Sequence, residues 1–121
     1  MNIEKVKFYS PIQEKLGVIM AFTKIHEQLG FPRLISSSSS IFDIDDIEYR
    51  DDIGLHHVTI NFEYLSSSYL EHGYCDAMDS SKKYIVICWE DDCNLAHVIA
   101  SKYNKYLYTI IELKNYVEIM K

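Results

Sequence analysis

Tyr84-Ile85-Val86-Ile87-Cys88-Trp89 is an unbroken apolar run, and a strand with no polar side must be covered on both of its faces. Such a strand sits in the middle of a sheet, with one layer packed above it and another below. A second strand is written differently. From His57 to Leu65, Val58, Ile60, Phe62 and Tyr64 point to one face, while Thr59, Asn61, Glu63 and Leu65 point to the other.

The remaining elements must supply the two covering layers. Ser10, Pro11 and Gln13 form a helix-start signature of serine cap, proline in the first turn and glutamine three residues after the cap; Gly30 and Pro32 supply the stop. Between them Ile12, Leu16, Ile19 and Met20, beside Val18, Phe22, Ile25 and Leu29, predict a wide apolar helix face. Asn94 to Tyr103 reads as a short helix, Tyr106 to Leu113 as a strand and Tyr116 to Met120 as a terminal helical turn. The order helix, strand, strand, strand, helix, strand predicts an α/β fold, a small mixed sheet flanked by helices, in a single domain over residues 1–121.

Composition narrows the function classes. At 121 residues and 48% hydrophobic content, the chain can bury one core. A formal charge of −6 disfavours generic binding to a phosphate backbone. Glu4, Lys5 and Lys7 interrupt the N-terminal apolar residues, and no run is long enough to span a bilayer, so no membrane partner and a cytoplasmic location are expected. Three cysteines, an odd number with one inside the central strand, are expected to be reduced thiols.

Between the first helix and the alternating strand lie two polar stretches. Ser36 to Ser40 reads as a polar strand edge or surface loop. Residues 43–52 carry Asp43, Asp45, Asp46, Glu48, Asp51 and Asp52 against Arg50 alone, and read as a solvated acidic loop. Glu48 stands where a calcium loop of the EF-hand type needs glycine.

Several constellations could carry chemistry. His72, Cys75, Cys93 and His97 are the right residue types for a zinc site, although their separation is irregular. Cys93 with His97 could form a thiol–imidazole pair, but Glu90, Asp91 and Asp92 oppose a thiolate there. Gly54 and Gly73 are isolated, so no glycine loop cradles a phosphate. Asp43 and Glu63 could together hold a divalent metal that polarises a phosphate and activates water. Metal-dependent nucleases that use this pair place a lysine two residues after the glutamate, on the same face of the strand. Here that position is Leu65.

Phe42-Asp43, Val58 to Tyr64, Ser66-Ser67, His72-Gly73, Cys88-Trp89-Glu90-Asp91-Asp92 and Ile110-Ile111-Glu112-Leu113 together resemble a small uncharacterised group of the PD-(D/E)xK (restriction-endonuclease-like) nuclease superfamily. The resemblance covers roughly residues 14–113, the size of a domain, and implies a restriction-endonuclease-like α-β-β-β-α-β order. In that group the strand reads Glu-Phe-Glu-aromatic-Lys, followed by Ser-Ser, His-Gly-His and Cys-Asp before a buried strand ending Cys-Trp-Glu. The resemblance puts the metal-site acids at Asp43 and Glu63. The expected lysine is Leu65, the second histidine Tyr74, the aspartate opening the buried strand Tyr84, and the proline before Asp43 is Phe42.

Packing positions are kept where polar positions tied to chemistry are not. The expectation is a catalytically degraded nuclease-like domain, a pseudoenzyme with no cofactor, that acts through a protein partner. Ten tyrosines suit an interface, and an acidic surface suits an inhibitor that mimics nucleic acid in phage-defence conflict. The alternative is an active nuclease using Mg²⁺ or Mn²⁺, in which Lys82 or Lys83 replaces the lost lysine beside Asp43 and Glu63.

Overall fold

The computed structural model describes residues 5–9, 11–34 and 41–120. The serine cap Ser10 and the serine run Ser36 to Ser40 lie outside the described residues. The fold is mixed α/β. Its four-stranded sheet is built from β2 (Ile44–Arg50), β3 (Leu55–Leu65), β4 (Tyr84–Glu90) and β5 (Thr109–Glu112), adjacent in that order. β3 runs antiparallel to β2 and parallel to β4, which is parallel to β5. The apolar run is therefore an inner strand.

Each face of β4 meets its own core. On one side α1 (Lys15–Ile25) lays Val18, Ala21, Phe22 and Ile25 against Val58, Ile60, Phe62, Ile85, Ile87 and Ile111. Phe22 meets Phe31 and Phe62 edge-on, with ring centroids 5.2 and 5.1 Å apart. Full burial of a ring of this size stabilises by about 3 kcal/mol. On the other side Tyr84 and Val86 pack on Leu95 and Ile99 of α4 (Leu95–Tyr103). Tyr69 and Cys75 close the same core from two short helices, α2 (Ser67–Glu71) and α3 (Tyr74–Ala77), linked by His72 and Gly73. Gly73 has φ 76°, a left-handed conformation that glycine adopts without strain.

Five expectations change. The first helix begins at Lys15 rather than Pro11, because Glu14 is extended (φ −158°) and turns the preceding segment away. That segment still contributes buried Ile12, which packs beside Gly17. The helix's apolar face is narrower than the sequence implies, since Leu16 and Met20 are 58% and 52% exposed. Leu16 and Met20, one turn apart, share the face opposite the one that carries Val18, Ala21, Phe22 and Ile25.

The acidic stretch is strand β2, not a loop. A register irregularity between Ile44 and Ile47 accommodates Asp45 and Asp46, the latter at φ 54°. Inward residues thus fall at Ile44, Ile47 and Tyr49, and the bulge hides the alternation that marks a strand. Charge along such a terminal strand also discourages pairing with other chains. The expected terminal helical turn is instead β6 (Val117–Ile119), which pairs in parallel with β1 (Val6–Phe8) after a 3-10 turn at Leu113–Asn115. Val117 and Ile119 are β-branched and alternate with Glu118, so the strand suits them better than a helix. β5 is shorter than the stretch Tyr106 to Leu113 assigned to it.

Gly30 joins the end of α1 to the end of β2. Its φ is +105°, its carbonyl accepts the Arg50 amide at 2.7 Å, and a Cβ there would lie 2.4 Å from the Arg50 carbonyl oxygen. Gly30→Ala combines left-handed strain with a clash against backbone, and is expected to destabilise the protein by at least about 2 kcal/mol. Urea unfolding at equilibrium measures it, with Gly54→Ala, where a Cβ meets nothing within 4 Å, as the strain-only comparison.

Candidate functional site

Asp43 enters the site from the residue before β2, where three polar bonds fix it. Its backbone N–H donates to Asn61 Oδ1 at 2.7 Å, and its carboxylate accepts the Phe62 amide at 2.9 Å. The Lys15 ammonium completes the set, 3.1 and 3.0 Å from the two carboxylate oxygens. β3 then carries Asn61 and Glu63 on the face turned away from α1, as its alternation predicts.

Glu63 is only 2% exposed. His72, from the link between α2 and α3, lies over it with Nδ1 3.0 Å from Oε2. Burial pushes the Glu63 carboxyl above its ordinary range. The His72 hydrogen bond and the Lys15 charge oppose that rise, while the Asp43 carboxylate adds to it. Asp43, Glu63, Lys15 and His72 thus form one electrostatic unit.

Aromatic rings wall this unit. Tyr74 packs against Tyr69, Phe42 and the edge of His72, at centroid distances of 5.2, 5.7 and 5.9 Å. Phe42 also meets Tyr84, whose hydroxyl accepts the Asp79 amide at 2.7 Å. Three of the four positions that depart from the nuclease pattern, Phe42, Tyr74 and Tyr84, therefore meet in one aromatic cluster. Leu65, the fourth, is half-buried and paired in register with Glu90.

The lysines expected to replace the missing one stand elsewhere. Lys83 and Lys82 precede β4, and the Lys83 carbonyl accepts the Thr59 amide at 2.8 Å. Thr59 is four residues from Glu63, roughly 13 Å along the strand. The Lys83 ammonium is held there by His56 at 2.7 Å. Lys15 takes the place beside the acids instead. A cation in the first turn of a helix opposes the helix dipole, and with α1 starting at Lys15 the Asp43 carboxylate compensates it; a helix begun at Pro11, as the sequence reads, gives no such signal.

The four zinc candidates do not assemble. His72 is engaged by Glu63, Cys75 is buried in the second core, and Cys93 lies 3.4 Å from Ser66 Oγ. His97 is exposed on α4. Among the described residues, no three His, Cys, Asp or Glu side chains are gathered to hold a metal ion. Burial and the carboxylates of Asp92 and Asp91 push the Cys93 thiol up, which disfavours the nucleophile reading.

Nor does the Asp43–Glu63 pair fit a divalent cation as arranged. Lys15 occupies the Asp43 carboxylate, His72 occupies that of Glu63, and among the described residues no third acid joins them. The buried polar atoms nearby without a partner are Asn61 Nδ2 and the Tyr69 hydroxyl. The amide nitrogen is a donor and offers a cation no lone pair.

The Cys-Trp-Glu-Asp-Asp segment has a structural task that the sequence did not reveal. Asp91 Oδ1 accepts the Leu95 amide at 3.0 Å, capping α4, and lies 2.6 Å from Ser66 Oγ. Asp92 accepts the Ser67 amide and hydroxyl at 2.9 and 2.7 Å. Together they tie the end of β3 to the start of α4. Comparison with protein-family models, with curated proteins and with solved structures finds no match to this chain.

Two outcomes are expected here. Removing the carboxylate in Asp43→Ala leaves the Phe62 amide unpaired and costs about 2 kcal/mol, whereas Lys15→Ala removes a half-exposed ion pair and costs less than about 1 kcal/mol; urea unfolding of both variants compares them. The raised Glu63 carboxyl means that the folded state holds its proton more tightly than the unfolded state does. Its contribution therefore favours folding below the ordinary glutamate range and is lost as pH rises through the raised value. Glu63→Gln is expected to flatten this fall in stability from pH 4.5 upward, as measured by unfolding at a series of pH values.

Proposed function

We propose that this chain is a nuclease-like domain whose reaction has been lost and which now acts by binding protein. One observation carries this reading: Glu63, the acid that would have to meet a metal and a phosphate, is buried beneath His72. A carboxylate 2% exposed and covered by the His72 ring does not present itself to a nucleic-acid backbone. The aromatic wall of Phe42, Tyr74 and Tyr84 fits the same view, since it fills the surroundings of the site with packing rather than with polar groups. A restriction-endonuclease-like arrangement is supported by the succession of α1, the three strands β2 to β4, then α4 and β5.

The partner class that suits a chain of charge −6 is a basic, nucleic-acid-binding protein. Against such a protein an acidic domain serves as an inhibitor that mimics nucleic acid, a role that suits conflict between phage and host defence. Exposed Tyr9 and Tyr106 add the contact area with a polar tip that interfaces favour.

A second reading rests on Lys15. Its ammonium stands 3.0 Å from Asp43, so the acids do have a local cation; an active Mg²⁺- or Mn²⁺-dependent nuclease would use Asp43, Glu63 and Lys15 only after Lys15 and His72 had released the two carboxylates to the metal. The two readings part in one assay. Wild type and Glu63→Gln are incubated with single-stranded DNA, duplex DNA and RNA in Mn²⁺. Neither protein is expected to cleave; cleavage by wild type that is lost in Glu63→Gln would establish the enzyme and overturn the proposal.

A further inference from the structure

Toward the opposite end of β3 from Glu63 stands a second cluster, which holds Lys83 away from Asp43 and Glu63. His56 Nε2 lies 2.9 Å from Asp51 Oδ1, and His56 Nδ1 lies 2.7 Å from the Lys83 ammonium. The Tyr108 hydroxyl donates to Asp51 Oδ2. Asp51 also accepts the amides of Ile53 and Gly54 at 2.9 and 3.2 Å, which fixes its carboxylate in the β2–β3 turn. Lys83 lies over the Tyr108 ring, 5.1 Å from its centroid.

This arrangement determines the imidazole tautomer. An ionised carboxylate only accepts, so Nε2 carries the proton given to Asp51, and Nδ1 is left as the acceptor that faces Lys83. Tyr108, the His56 ring and the turn amides all hold the Asp51 carboxyl below its ordinary range, which keeps it ionised. The order is therefore acid, oriented imidazole, amine. It is the logic by which a base activates a nucleophile, with lysine as the nucleophile.

We propose that Lys83 is an acylation site, activated by His56 and Asp51, for an activated acyl donor of the acyl phosphate or thioester class. The Lys83 ammonium passes a proton to His56 Nδ1 and becomes a neutral amine. The amine attacks the acyl carbon, and a carbon–nitrogen bond forms as the bond from that carbon to phosphate oxygen or thiol sulfur breaks. The leaving group departs with the electron pair, the second proton from nitrogen goes to solvent, and no oxidant or reductant is needed. The product is an uncharged amide, which removes the cation from the Tyr108 ring and leaves a single neutral N–H where the ammonium faced His56. His56 acts as the base and Asp51 as its positioning residue.

Lys82, the preceding residue and also exposed, is an internal control. The full chain is incubated with acetyl phosphate, and separately with acetyl coenzyme A, and the rate of labelling at each lysine is followed by mass spectrometry. Lys83 is expected to label roughly a hundredfold faster than Lys82, the low end of what a positioned base contributes. A lead with one donor alone identifies the donor class. In His56→Gln, Lys83 is expected to fall to the Lys82 rate, with Lys82 unchanged. Should that variant fail to fold, as judged by circular dichroism, Asp51→Asn serves instead, because without the carboxylate Nδ1 is free to take the ring proton and stop accepting. Equal labelling of the two lysines in wild type, or a Lys83 lead that survives in the folded variant, would overturn the proposal.

Discussion

β4 has no side it can show to water, and the rest of the fold is arranged around that constraint. Its backbone pairs with β3 and β5, so its side chains need a layer on each face. α1 supplies one layer; α2, α3 and α4 supply the other. The division also decides where polar chemistry can sit. β3 gives its aliphatic and aromatic residues to the α1 side, and places Asn61 and Glu63 beneath the short helices, where burial makes their hydrogen bonds obligatory.

The parts of the fold legible in the sequence were those with unbroken periodicity. β3, β4 and α4 follow directly from alternation, from an apolar run, and from a helical stretch introduced by Asn94. β2 was hidden because Asp45 and Asp46 interrupt its period, so that composition alone suggested a loop. The extended Glu14 displaced the start of α1 from a well-formed capping signature, a case of tertiary packing overriding a local preference. β6 was missed because its pairing with β1 joins the two ends of the described chain, and no local pattern encodes a partner so remote.

The candidate site was legible in half. Asp43 and Glu63 were named from the sequence and do stand together, since the coupling needs only the strand face and the register of β2 on β3. What could not be read was who answers their charge. Lys15 arrives from another element and His72 from a turn set by Gly73, and both placements depend on packing angles that a linear pattern does not carry. The same holds for Asp91 and Asp92, which looked like acids free for a site but are spent on capping α4 and holding Ser66 and Ser67.

β3 carries an ionic cluster at each of its ends, and between them Val58, Ile60 and Phe62 face one core while Thr59 and Asn61 stand on the other face. From His56 to Glu63 the chain runs roughly 23 Å, well beyond the screening length of about 8 Å at physiological salt. The strand thus works as a spacer. Groups so far apart share no partner, and substitutions in the two clusters are expected to add to within about 0.5 kcal/mol. One end of this molecule is therefore free to change its chemistry over generations while the other keeps its own.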